Sequence, residues 1–326
     1  MVLEVTYEHI FLLVMVTLGT ILNLLVIITL LFMITKGDHE LRNVILMSLA
    51  VSDMLPALFG FSLELTSTDD IMFCKISAFA VTSSSLSSIM HMVLLMIERA
   101  YTIKYPYRAH IVLKRKSIMA CFVSIAWIYG TVLGVCPLLG WGNYTHEGVS
   151  MKRCSIDINM NTWSVTTYNY SLLLLGYLIP IAASVACYVV IKKEYGKLSE
   201  KAVRYQGKSS LMTQHTMDIQ RSFTLMFLVM LLAFLISWTP YALCIIYRLC
   251  HGTVSPFVLD ISAYFGKSSI IFNPIIYTLI YKNFNKALRR VLSFHPCQDT
   301  ARRRTQSNII NWNGITLTDE DIIKTV

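Results

Sequence analysis

Seven apolar runs, each about as long as a bilayer is thick, dominate this chain: Ile10 to Ile34, Asn43 to Leu65, Ile71 to Tyr101, Ser117 to Leu139, Ser164 to Ile191, Phe223 to Leu249 and Phe257 to Tyr281. A spanning helix needs roughly 20 predominantly apolar residues. Hydrocarbon offers no partner to backbone N–H and C=O groups, so each run must satisfy them within itself as a helix. The expected fold is an all-α membrane protein, a seven-transmembrane helix bundle spanning residues 10–282. With 55% of residues hydrophobic and 14% charged, an ordinary soluble domain is excluded.

Lys and Arg near span ends are retained in the cytoplasm. The connections Lys104 to Lys116 and Lys192 to Arg221, and the segment Lys282 to Arg304, are rich in them, whereas the alternate connections hold only Lys75, Lys152, Arg153 and Arg248. Residues 1–9 are therefore expected outside and the C-terminus inside. Met1 to His9 has no Lys or Arg, so no signal peptide is expected. The net charge of +9 reads as this topology plus a surface facing acidic lipid, without a nucleic-acid-binding fold. Residues 283–293 carry Phe284, Ala287, Leu288, Val291 and Leu292 in a stripe beside Lys286, Arg289 and Arg290, the pattern of an amphipathic eighth helix on the membrane surface. The tail, 294–326, is expected to be disordered. Its Cys297 is a palmitoylation candidate, with an idle thiol the alternative.

Cys74 and Cys154 both fall on the oxidising side, where a bridge would pin the outer loop over the bundle. Cys250 has no assigned partner. Asn143-Tyr144-Thr145 is a glycosylation sequon on the same side, close to the membrane. The most unusual residue is Lys267, a cation inside the seventh run. A charge at that depth costs about 3 kcal/mol on insertion scales, which makes it a functional site with a partner. Burial favours the neutral amine, the form that condenses with an aldehyde.

The runs also carry a motif each: Asn23; Leu49-Ala50-Val51-Ser52-Asp53; Glu98-Arg99; Trp127; Pro180 and Tyr188; Phe234 with Trp238-Thr239-Pro240-Tyr241; and Asn273-Pro274-Ile275-Ile276-Tyr277. In that order they resemble the rhodopsin-like, or class A, G-protein-coupled receptors. Lys267 stands six residues before Asn273, and Pro137 to Tyr144, Glu147-Gly148 and Cys154 to Asp157 are similar to an opsin outer loop. Within the superfamily the chain thus resembles the animal opsins, with loop wording closest to the cnidarian group.

That resemblance implies retinal, 11-cis or all-trans, bound to Lys267 through a Schiff base, and a buried anion to keep the linkage charged. The position where vertebrate visual opsins carry glutamate is Ser77 here. Glu64 and Glu147 are the two candidates. Glu64 follows Asp53 by eleven residues, which places it on nearly the same helix face and about 16 Å farther out. Lys267 lies about 9 Å above Asn273, which is level with Asp53 in such receptors, and an extended lysine bridges the remaining gap. Glu64 is expected as the primary counterion. Glu147, one residue farther from Cys154 than is usual, is expected to act secondarily through hydrogen bonds or water.

Carried over by position, the retinal pocket comprises Val81, Thr82, Ser85, Leu172, Gly176, Tyr177, Trp238, Tyr241, Ala242 and Ala263. Asp53, Ser88 and Asn273 form a polar network below it, with room for water or sodium. In the switch, Arg99 leaves Glu98 for Tyr188 and Tyr277 as the sixth helix swings out, with Pro274 in the seventh-helix motif. Alanine follows Arg99 where the family has tyrosine, and Gln220 stands where helix six offers glutamate, so the inactive-state lock is expected to be weak. Asp218 is one half-turn away, on another face.

The implied function is a light-activated receptor, not an enzyme, in a plasma or photoreceptor membrane. Its partners would be a heterotrimeric G protein of the stimulatory class raising cyclic AMP, arrestin and a receptor kinase acting on tail sites such as Thr300, Thr305 and Ser307. The alternatives are a retinal photoisomerase and a class A receptor for a diffusible ligand.

Overall fold

The computed structural model describes residues 7–66, 70–147, 153–159, 161–206, 211–250 and 252–293, with side chains there except at 7, 198, 199, 201–206 and 211–220. Cys297, the tail threonines and serine, and the side chains of Asp218 and Gln220 lie outside the described residues. Seven long helices follow the apolar runs: α1 Tyr7–Thr35, α2 Leu41–Leu65, α3 Ile71–Lys104, α4 Lys116–Leu139, α5 from Trp163 to Gln206, α6 Leu211–Leu249 and α7 Pro256–Ile280. The first six are long and apolar enough to cross a membrane on length and hydropathy alone. At 25 residues α7 is long enough, but Asp260, Lys267 and Asn273 dilute its apolar character.

Several starts are written in the local sequence. Asp70 accepts from the Met72 N–H at 2.7 Å, Thr162 from Val165 at 3.3 Å and Ser255 from Val258 at 3.3 Å, while Pro256 supplies a preset first turn. Two stretches are wound wider than an α-helix, Pro56–Phe61 within α2 and Leu174–Leu178 within α5, as is common where helices flank functional sites.

Large apolar side chains on the outer faces, such as Ile128, Val132, Val189, Ile236 and Leu279, are exposed. Such a belt would drive aggregation in water; in lipid it is the solvated surface. Polar side chains turn inward. Asn23 donates to the Ile270 carbonyl at 2.9 Å, joining α1 to α7, and Ser48 accepts from Trp127 Nε1 at 2.9 Å and its hydroxyl lies 2.8 Å from His91 Nε2, joining α2, α3 and α4. Gly130 lets α4 lie against α3: a Cβ there would collide with the Ser83 carbonyl and Ser87.

Between α4 and α5, β1 (Tyr144–Glu147) pairs antiparallel with β2 (Arg153–Ile156), a hairpin the sequence did not announce. The Cys74–Cys154 disulfide fixes β2 to the start of α3. After α7, α8 (Lys282–Leu292) buries Phe284 and Ala287. The chain divides into two compact units after Leu288; in the second the described residues are Arg289–Ser293, where the Ser293 hydroxyl returns to the Arg289 carbonyl at 2.7 Å.

Candidate functional site

A cavity lies among α3, α5, α6 and α7 beneath β2. All ten pocket positions expected from sequence line it: Val81, Thr82 and Ser85 from α3, Leu172, Gly176 and Tyr177 from α5, Trp238, Tyr241 and Ala242 from α6, and Ala263 from α7. Lys267 also opens onto it, and so do Ala78, Leu86, Phe234, Ile245 and Ile156. The walls are largely apolar with few polar groups, as expected of a site for an elongated apolar ligand. Trp238 and Phe234 form its floor, since both also line a smaller space of about 350 Å³ beside Asp53, Ser88 and Asn273.

Lys267 and Glu64 meet directly. The Lys267 ammonium donates to Glu64 Oε2, with 5% and 2% of the two side chains exposed. The other carboxylate oxygen lies 3.3 Å from the Ser77 hydroxyl, which is also 3.1 Å from the Gly60 carbonyl. The serine that replaces the expected acid on α3 therefore supports the acid on α2. Phe61 places its ring 5.0 Å from the Lys267 nitrogen, adding a cation–π contact.

Glu147 is held by a second buried cation. It does not line the cavity; Arg153, its partner across the hairpin, does. Arg153 donates one NH2 group to Glu147 Oε1 at 2.6 Å and reaches Asp260 Oδ1 on α7 with its other two donors, at 3.1 and 2.8 Å. Tyr241 contributes its hydroxyl, 3.5 Å from Glu147 and 2.6 Å from Ser155. Burial pushes the Glu147 carboxyl above the usual carboxylate range, and Arg153 pulls against that shift. Burial also works to strip the Arg153 guanidinium of its proton, but Glu147, Tyr241 and Asp260 outweigh it and the group is held above its ordinary value. Sequence reasoning registered Arg153 only as an outer-loop cation and missed Asp260; its buried position on α7, seven residues before Lys267, is the signal that could have found it.

Below the floor, Asp53 accepts from Ser88 and from Asn273, each at 2.7 Å, and Ser88 lies 2.8 Å from Ser52. At the inner end, Glu98 accepts from Thr102 at 3.1 Å. Arg99 lies 5.3 Å and Arg42 4.5 Å from the ring of Phe223 on α6, and Tyr281 meets that ring edge-on at 5.1 Å. Tyr277 is buried beside Pro274 and Tyr188 is half-buried, both packed into the same cluster. Asn143 is half-buried, and its carbonyl accepts from Asp157 at 2.9 Å.

Comparisons with known proteins identify the family. Residues 22–277 match the family model for the 7 transmembrane receptor (rhodopsin family). The blue-sensitive opsin of Anolis carolinensis is 30% identical over 271 residues, covering 78% of this chain and 73% of its own. Rhodopsin of Myripristis violacea is 28% identical over 272 residues, 79% and 75% of the two chains. The crystal structure of squid rhodopsin superposes with a TM-score of 0.78 over 94% of this chain and 92% of that one at 24% identity, a likeness of fold. The seven-helix bundle, the lysine on its seventh helix and relatives at this level of identity place the chain among the animal opsins, multi-pass receptors of the rhodopsin family rather than enzymes.

Proposed function

We propose that this opsin is a light-activated receptor that carries retinal on Lys267 as a Schiff base and passes the signal to a heterotrimeric G protein. The observation that carries the reading is the buried Lys267–Glu64 pair at the edge of a long apolar cavity. A diffusible-ligand receptor has no use for a lysine there. The cavity fits the group: it is largely apolar, and Lys267 is its one lysine among the described lining residues.

When bound, retinal supplies light absorption and a change of shape. The rest is the work of the chain's own residues. Glu64, steadied by Ser77, provides the anion that keeps a proton on the Lys267 nitrogen. The apolar walls keep water from competing for it. Trp238 separates the cavity from the Asp53–Ser88–Asn273 network, so a push on its ring is felt on both sides of the floor. Helix α6 then moves outward between two discrete packings, Arg99 exchanges its present contacts for Tyr188 and Tyr277, and the inner face admits the G protein. The Asp53 network holds water or sodium in the resting state. With the N-terminus outside, the tail beyond α8 meets arrestin and a receptor kinase, Cys297 carries a palmitoyl anchor and Asn143 a glycan. Loop wording similar to cnidarian opsins points to the stimulatory G-protein class.

The test is nucleotide exchange on purified G proteins by the retinal-loaded receptor, in darkness and in light, for wild type and Lys267→Ala. Light-dependent exchange confined to wild type supports the reading; exchange unaffected by light or by loss of Lys267 removes it. Comparing stimulatory with other G-protein classes assigns the coupling.

A further inference from the structure

We infer that Arg153 decides which acid serves as counterion, by holding Glu147 against Asp260 and so leaving the role to Glu64. The inference rests on the reading of Lys267 as the retinal attachment point and extends it.

Five ionisable groups are buried in this region: Glu64, Glu147 and Asp260 against Lys267 and Arg153, each no more than 7% exposed. The hydrogen bonds among these five groups fall into two sets. Lys267 goes to Glu64, and Arg153 goes to Glu147 and Asp260. The division follows from the backbone. Glu147 and Arg153 stand directly opposite in the β1–β2 register, so their side chains share a face. Asp260 lies seven residues before Lys267, about two turns and 10 Å nearer the outside on nearly the same side of α7. The guanidinium fork can therefore hold a loop acid with one arm and the top of α7 with the others, a bidentate geometry that lysine cannot reproduce.

Arg153 lines the cavity and Glu147 does not, so the cation stands on the cavity side of the loop acid. Lys267 nevertheless lies within electrostatic range of both Glu147 and Arg153. With Arg153 in place, its positive charge opposes a cation at Lys267 by more than Glu147 favours one. Without Arg153, Glu147 faces the cavity as an unpaired anion able to take over. Arg153 is thus a positioning residue, acting on the Lys267 nitrogen through Glu147.

The experiment is a rescue in the full-length receptor regenerated with 11-cis retinal in darkness at pH 7. Absorption spectra report whether the linkage is protonated (visible band) or neutral (near-ultraviolet band). Borohydride trapping and mass analysis of the Lys267 peptide report attachment independently of colour. Glu64→Gln is expected to form the adduct but absorb in the near ultraviolet. Adding Arg153→Gln should raise the visible-to-ultraviolet ratio by about tenfold or more, the size of a shift of about one unit in a proton equilibrium. A third change, Glu147→Gln, should abolish that gain, and Arg153→Lys in place of Arg153→Gln should give little of it. If Arg153→Gln fails to fold with Asp260 left alone, Arg153→Gln with Asp260→Asn removes both charges and gives the same readout.

The inference is overturned if the Glu64→Gln and Arg153→Gln pair stays in the near ultraviolet with the adduct present, or if the gain survives Glu147→Gln. Failure of the underlying reading looks different. Wild type with no adduct removes the attachment point, and Glu64→Gln alone with a full visible band removes Glu64 as counterion, and with it the division of roles assigned to Arg153.

Discussion

Replacing Phe223 by leucine should raise signalling in darkness. We propose that an aromatic lock offsets the weak one expected from Ala100 and Gln220, because the Phe223 ring on α6 is flanked by Arg42 at 4.5 Å and Arg99 at 5.3 Å and met edge-on by Tyr281 at 5.1 Å. A cation–π interaction contributes about 0.5–1 kcal/mol when exposed and about 2 when desolvated. Two guanidiniums crowd one ring, and at about 1 kcal/mol each they amount to about 2 kcal/mol; the edge-on pair adds about 0.5–1.5 kcal/mol. Leucine keeps the burial and removes the aromatic face. Only interactions that break when α6 moves can bias the switch. If the two arginine–ring interactions break, 2 kcal/mol corresponds to about a 30-fold larger active population. The assay is G-protein nucleotide exchange by the reconstituted receptor in darkness, with Phe223→Tyr as the variant that keeps the ring. A Phe223→Leu receptor with a normal spectrum, a normal light response and wild-type dark exchange would refute the reasoning.

Glu64→Gln should lower the stability of the retinal-free receptor by about 3 kcal/mol or more, because removing one member of a buried pair strands the other charge. Glu64→Gln with Lys267→Met should recover most of that loss; equal thermal inactivation of the two variants in detergent would show that the pair is not what stabilises. Gly130→Ala forces a methyl into the Ser83 carbonyl and the Ser87 backbone, and overpacking of this kind costs about 1–3 kcal/mol. It should appear as reduced surface expression and faster heat inactivation than Gly196→Ala, where nothing stands within reach.

The bundle was legible because each helix carries both an apolar run and a distinctive residue. Rise per residue brought Lys267 and Glu64 to one depth only together with the level of Asn273 and Asp53 that the family resemblance implies, and the Asp53 network and the pocket positions were carried over from that resemblance. Straight-helix extrapolation along α2 missed that Pro56–Phe61 is wound as a π-helix, which no local pattern in that run reveals. Arg153 and Asp260 were illegible as a pair for a different reason. They are 107 residues apart, and which buried cation meets which buried acid depends on the hairpin register and on how the disulfide sets β2 above α7. Phe223 looked like one more apolar residue of α6, because nothing in its own run says that two arginines from α2 and α3 converge on it.

The most direct test is to incubate the purified receptor with 11-cis retinal in darkness, reduce with borohydride and map the modified peptide by mass. A retinyl group on Lys267, absent from Lys267→Ala, is the predicted result. An unmodified Lys267 peptide from folded receptor, or label on another lysine, would contradict the account at its root.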